Sequence, residues 1–280
     1  VARFLQSWHH VEEYYDFFRA ETEKEGEEAY RPFQREVELR GVHFRYPGGD
    51  RDALDGVDLT IRKGEHVVIV GVNGSGKTTI SKGRTRAEAA GAGGVYYDGR
   101  DIARIRKSGL YRDVSLVPQD FVHYHFSLRE NICISDFTRR EDEERIRGVV
   151  QAVGIQELVQ GLGGLDAQLG REFGGSELSG GEWQKVAIAR GLFRDSGLIL
   201  LDEPTSALDP LVEYEILTGF LKLIQGKTSV IISHRVGICR HADKVVVMKA
   251  GKVVECGGHE ELVRAGGEYA RIWGEQAKWY

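Results

Sequence analysis

Cysteine is scarce in this chain of 280 residues, and long apolar runs and an excess of positive charge are missing. The three cysteines, Cys133, Cys239 and Cys256, are scattered. They show no metal or redox spacing and read as reduced thiols in a cytosolic setting. No stretch approaches the roughly 20 apolar residues of a membrane span, and no signal-peptide pattern is visible. The first residue is Val1 rather than methionine, so a piece of something longer is expected. A formal net charge of -5 argues against a nucleic-acid partner, which usually needs a basic stripe. There is no internal repeat and no low-complexity tract. What is present, 41% hydrophobic and 29% charged residues, is ordinary globular composition and enough to bury a sizeable core.

Periodicity divides the chain. Phe4, Trp8, Val11, Tyr15 and Phe18 keep a helical spacing that gathers one aromatic-rich face. The acidic stretch from Glu21 to Glu28, broken by Gly26, reads as a solvated linker, and Pro32 ends any helix there. Strand-like alternation starts at Val37–Leu39, continues through Val42–Tyr46 and returns at Val57–Ile61. His66–Val70 is a nearly continuous β-branched run, as in a strand covered on both faces. Val114–Val117 is a short strand stopped by Pro118. From about Leu128 to Leu162 the pattern turns helical and charged, and Glu182–Arg194 predicts a helix with Val186, Ala189 and Phe193 on one face. Strands at Leu198–Leu201, Ser229–Ser233, Lys244–Met248 and Lys252–Glu255, with a helix at Val212–Leu223, complete the alternation. It implies an α/β fold with a largely parallel core sheet. The helical insertion between Gln119 and about Arg190 is expected to form its own lobe.

Two motifs carry chemistry. Gly71–Thr78 fits G-x-x-x-x-G-K-[ST] directly after a strand. Its glycines let several backbone N–H groups point at one anion, and the following helix adds its positive end. Lys77 would contact β- and γ-phosphates, and Thr78 would ligate Mg²⁺. Asp202 and Glu203 close a buried strand, where open α/β sheets place ligands. Asp202 would hold Mg²⁺ through water, and Glu203 would act as general base on the attacking water. One segment breaks the pattern. Ile80 to Gly94 contains one large apolar residue and several glycines, each costing about 1 kcal/mol inside a helix. The helix after the loop is therefore expected to be short or poorly packed.

With these motifs in this order, residues 36–265 resemble the nucleotide-binding domain of ABC transporters. Leu178–Glu182 is similar to the family's signature motif, with Glu182 in place of the commonest glutamine. Val117–Gln119 resembles the Q-loop, Ser206–Asp209 the D-loop, and Ser233–Arg235 the segment with the switch histidine. The resemblance implies a P-loop NTPase fold. It has a RecA-like mixed sheet core, N-terminal antiparallel β elements and an α-helical subdomain at about 119–190. Residues 1–35 are then the end of a missing membrane domain with its linker, and 266–280 a C-terminal helix. ATP and Mg²⁺ are the implied cofactors. Asn73, Gly74, Ser75, Gly76, Lys77, Thr78 and Thr79 would cradle the phosphates, and Tyr46 would stack on adenine. Gln119 would sense Mg²⁺ or the lytic water, and His234 would bond the γ-phosphate. Ser179, Gly180 and Gly181 would face the γ-phosphate of a second copy, with Asp209 lining that two-fold interface.

The stretch Gly170–Glu177, Trp183 and the tail Gln276–Tyr280 look like half-size exporters of bacterial peptides, lantibiotic types among them. In such exporters the stretch before the signature contacts the membrane domain of the other chain, and the resemblance would give Glu172 that role, the alternative being a plain surface acid. The implied location is the cytoplasmic face of the cell membrane. Two rival readings stay open. One is a nucleotide-holding module with little turnover, because of the segment 80–94. The other is a soluble ATPase of this class acting on nucleic acid, which the acidic balance opposes.

Overall fold

A computed structural model describes residues 26–46, 48–82, 93–204 and 210–276. The aromatic-rich segment 4–18, most of the segment 80–94 and the D-loop residues lie outside the described residues. Among the described residues there are two sheets. The smaller is antiparallel, in the order β2 (Leu54–Arg62), β1 (Glu36–Phe44), β4 (Gly94–Tyr97), β5 (Arg100–Asp101). The larger has the order β10 (Lys252–Gly257), β9 (Lys244–Lys249), β3 (His66–Val70), β8 (Thr228–Ile232), β7 (Leu198–Asp202), β6 (Val114–Val117). Strands β9, β3, β8, β7 and β6 are mutually parallel, and β10 is antiparallel on β9.

The layering follows from the two-residue period of a strand. In β3, Val67 and Ile69 join the core shared with the antiparallel sheet, while Val68 and Val70 join the core under the helices. In β9, Val246 and Met248 face the first core, and Val245 and Val247 the second. A strand buried on both faces needs no polar side, which is why these segments read as unbroken apolar runs.

The helices are α1 (Lys77–Lys82), α2 (Lys107–Asp113), α3 (Leu128–Cys133), α4 (Glu143–Ala152) and α5 (Gln156–Gly161). They continue with α6 (Gly180–Phe193), α7 (Pro210–Leu223), α8 (His259–Ala265) and α9 (Glu268–Gln276). Among the described residues no helix is long and apolar enough to cross a membrane. Helices α3 to α5 form the charged insertion, and α6 ties it to the sheet: the Ser115 hydroxyl of β6 donates to Gly191 O at 2.8 Å.

Three expectations need correction. The alternation from Val37 to Tyr46 does form one strand, but that strand ends at Phe44 rather than at Tyr46 and is irregular in register between Leu39 and Phe44. Gly41, at φ +54°, supplies the backbone turn inside it. The single apolar face expected for α6 is too narrow. Trp183, Gln184, Ala187, Ile188 and Leu192 are buried along with Val186, Ala189 and Phe193, because sheet and insertion enclose the helix together. The acidic linker is not free at its end. Glu28 bridges to Ile105, its N–H donating to Arg104 O at 2.9 Å and its carbonyl accepting from Arg106 N–H at 2.8 Å. Its backbone is docked while its side chain stays exposed.

Candidate active site

Parallel pairing brings four strand ends to one edge of the larger sheet. The glycine loop follows β3, Gln119 follows β6, Glu203 follows β7, and Ser233 and His234 follow β8. The register is specific. Asp202 pairs with Ile232, and Glu203 N–H donates to Ile232 O at 2.9 Å. Ser233 N–H donates to Ile69 O at 3.1 Å. Backbone ladders thus set the loop, the carboxylate and the histidine side by side.

The loop has glycine where nothing larger fits. A Cβ on Gly71 would lie 2.3 Å from Met248 O, and one on Gly76, at φ +101°, 2.4 Å from Ala53 O. Lys77 curls back so that Nζ donates to Gly71 O at 2.8 Å and Val72 O at 3.1 Å. Burial pulls its ammonium below the ordinary lysine value, against Glu203 and Asp202, which hold it up. Among the described residues the buried Ser75 Oγ has no hydrogen-bond partner. A buried donor without an acceptor beside a buried cation suits an anion better than an apolar ligand.

A cavity of about 360 Å³ opens over this loop. Asn73, Gly74, Gly76, Lys77, Thr78 and Thr79 line one side, and Tyr46, Ala53, Gln119 and Glu203 the rest. Tyr46 is 42% exposed; its ring meets Phe44 edge-on at 4.9 Å, and its hydroxyl lies 3.3 Å from Thr79 Oγ1. That leaves an aromatic surface at the cavity mouth. Thr78 Oγ1 donates to Asp202 Oδ1 at 3.2 Å, and Asp202 is buried. A hydroxyl and a carboxylate are the hard oxygen donors a small divalent cation takes. Glu203 adopts φ +45°, a left-handed conformation sparsely used by residues other than glycine and concentrated at functional sites. His234 does not line the cavity; its Nδ1 stands 3.5 Å from Glu203 Oε2.

The structure does not bring every sequence-predicted residue here. Ser179, Gly180 and Gly181 lie at the start of α6 and do not line the cavity. Ser179 caps that helix: its N–H and its hydroxyl each donate to Glu182 Oε2 at 2.7 Å, and its Oγ accepts from Glu182 N–H at 3.3 Å. Ser179 and Gly180 are exposed. Glu172 is exposed on a short turn at Arg171–Phe173. Asp209 lies outside the described residues. Ala53 lines the cavity although nothing in the sequence marked it, because it arrives there at the head of β2 through pairing with β1.

The family model for the ABC transporter matches residues 54–206. The nisin transport ATP-binding protein NisT of Lactococcus lactis subsp. lactis is 37% identical over 239 residues, 85% of this chain and 40% of that protein. The ATP-dependent lipid A-core flippase of Dechloromonas aromatica is 37% identical over 255 residues, 90% of this chain and 43% of that protein. The structure of a bacterial Atm1-family ABC exporter with ATP bound superposes with a TM-score of 0.85 at 30% identity, over 97% of this chain and 47% of that one. The chain therefore spans less than half the length of each of these relatives. The chain belongs to the ABC transporter family and carries that family's ATPase domain.

Proposed function

We propose that this domain binds Mg-ATP in the cavity over Gly71–Thr79, closes against a second copy, and hydrolyses the nucleotide to power an exporter's membrane domain. The observation that carries the reading is the single edge at which the glycine loop, Asp202, Glu203 and His234 meet. Tyr46 stacks on the adenine. The loop's N–H groups, Ser75 Oγ and Lys77 hold the phosphates. Thr78, Asp202 and Gln119 would hold Mg²⁺, which would offset the negative charge of the phosphates. Glu203 takes a proton from the water aligned behind the γ-phosphate, and His234 bonds that phosphate and steadies Glu203.

The exposed signature residues need a partner to act. Ser179 caps, and Gly180 and Gly181 open, a helix whose positive end lies at the surface, a poor use of an anion-binding group unless a second copy supplies the anion. A two-fold pairing gives two such composite sites. Double substitution of Asn73→Cys and Ser179→Cys, with Cys256→Ser to remove the exposed native thiol, tests it. Crosslinked dimers are expected with Mg-ATP and not with EDTA. Monomer alone under both conditions overturns the pairing.

On either side of Gln119, Pro118 and Asp120 line a mostly apolar groove together with Phe121 and the exposed side chains of Val122 and Ile134. An apolar patch beside a site is an interaction surface, and here it fits docking of a membrane domain. We propose the cytoplasmic face of the membrane as the ATPase domain's location, because the chain resembles a nisin transport ATP-binding protein and a lipid A-core flippase. The relatives' own names span nisin transport and a lipid A-core flippase. One ATPase design thus serves unlike cargoes, and cargo choice belongs to the membrane part.

Tyr46→Ala is expected to raise the KM for ATP about tenfold, the usual worth of one aromatic–base stack, with kcat little changed. Tyr46→Phe, which loses only the Thr79 contact, stays within about twofold. Equal KM values for all three proteins in steady-state phosphate release overturn the stacking role.

A further inference from the structure

We infer that Gln276, the last residue of α9, is a positioning residue that holds the His234 loop in register with Glu203. The inference rests on the reading of Glu203 and His234 as the hydrolytic pair. Beyond Ser233, the segment His234 to Val236 leads to a short turn at Gly237–His241 and has no strand pairing of its own. The Gln276 side chain spans it. Its Nε2 donates to His234 O at 2.8 Å, and its Oε1 accepts from Val236 N–H at 3.0 Å. A carbonyl can only accept and a backbone N–H can only donate, so these partners fix which end of the amide is which. Within the loop, Arg235 N–H donates to Ser233 Oγ at 2.9 Å. The backbone on both sides of the imidazole is therefore tied, although the His234 side chain itself is 41% exposed.

The helix that delivers Gln276 is rigidly seated. Tyr269 and Ile272 are buried in the larger core with Val236, Ile238 and Cys239. The first turn of α9 is held by Glu255, which accepts from Glu268 N–H at 2.6 Å and Tyr269 N–H at 2.9 Å. The Tyr269 hydroxyl lies 2.7 Å from His259 Nδ1. The Arg240 guanidinium sits 4.7 Å over the Trp273 ring, joining the helix to the turn that follows the loop. A bracket built this way transmits little motion, so its last side chain sets where the loop stands. An imidazole 3.5 Å from a carboxylate has small tolerance: a shift of about 1 Å costs roughly 10²-fold in rate. Both backbone groups gripped by Gln276 can turn to water when it is removed. The loss is then felt in alignment more than in folding.

Gln276→Ala in the purified full chain is expected to lower kcat about 10- to 100-fold with the KM for ATP within about twofold and the melting temperature nearly unchanged. Gln276→Glu, which can still accept from Val236 N–H but cannot donate to His234 O, is expected to resemble Gln276→Ala. The decisive comparison is made in the His234→Ala background, by single-turnover measurement so that a slow rate is still read. There Gln276→Ala should cause no further loss, because its effect runs through His234. A wild-type kcat for Gln276→Ala, or the same fold-loss with and without His234, overturns the assignment while leaving the hydrolytic pair standing. A wild-type kcat for His234→Ala overturns the pair itself and this inference with it.

Discussion

Glu203→Gln is expected to bind ATP at least as tightly as the unaltered chain and to hydrolyse it about 10²–10⁴-fold more slowly. The substitution keeps the shape of the side chain and removes its ability to take a proton. Its backbone should not move, because Glu203 N–H is bonded to Ile232 O and the strand pairing up to Asp202 and Ile232 is untouched. Glu203 lines the cavity with Lys77 and Gln119, so its carboxylate would repel the phosphates proposed to bind there. Removing that charge lowers repulsion, so affinity holds or rises while turnover falls. Phosphate release and equilibrium binding of a fluorescent ATP analogue, measured on the same preparation, separate the two effects. With cleavage blocked, Mg-ATP should also shift the protein to a dimer in size-exclusion chromatography. Unchanged turnover would take the proton-accepting role away from Glu203. It would favour the rival reading only if the unaltered chain were equally slow.

How much of this was legible beforehand depended on how local the signal was. The glycine loop and the Asp202–Glu203 pair were readable because each sits directly after an apolar strand, and a strand buried on both faces writes itself as an unbroken run. The partnership of Glu203 with His234 was not readable from spacing. It comes from the parallel register that pairs Asp202 with Ile232, and β-pairing across such a distance leaves no local pattern. The same reason hid β4, whose residues Gly94–Tyr97 pair with Arg40–Val37 across the smaller sheet. It also hid Ala53, carried to the cavity by β2, and the docking of Glu28 on Arg104 and Arg106. The left-handed backbone of Glu203 has no sequence mark at all, since glutamate is not a residue that seeks positive φ. In α6, a helical spacing gave three core positions correctly and understated the rest, because periodicity reports one packed face and α6 has neighbours on several sides. Glu182 was noticed as a departure from the commonest signature. Its structural consequence, a capping box with Ser179, follows from the serine-x-x-glutamate spacing and could have been written down from it.

Lys77→Met should separate folding from function more sharply than any other change in the loop. Methionine keeps the stem length and loses the charge. ATP affinity is expected to fall about 10- to 100-fold, the worth of a charge-assisted bond to phosphate, and turnover a further 10²–10³-fold or so, because in the proposed mechanism the ammonium would face charge that develops in the transition state. Stability should hardly change, because two effects oppose. The folded chain is relieved of a buried ammonium, which lies 4% exposed, and loses the bonds from Nζ to Gly71 O and Val72 O. The first effect has a pH signature. Burial holds the folded-state pKa below the ordinary lysine value, so the unfolded chain grips this proton more firmly. The penalty is therefore complete below the folded-state pKa, and stability recovers as pH climbs from there toward the ordinary value. Lys77→Met removes that alkaline recovery. Denaturant unfolding at several alkaline pH values, beside ATP binding at neutral pH, checks both halves. A variant that binds ATP normally would break the proposal at its centre. One that fails to fold would show that the two carbonyls depend on the ammonium, and that the loop is held in shape by the group meant for the phosphate.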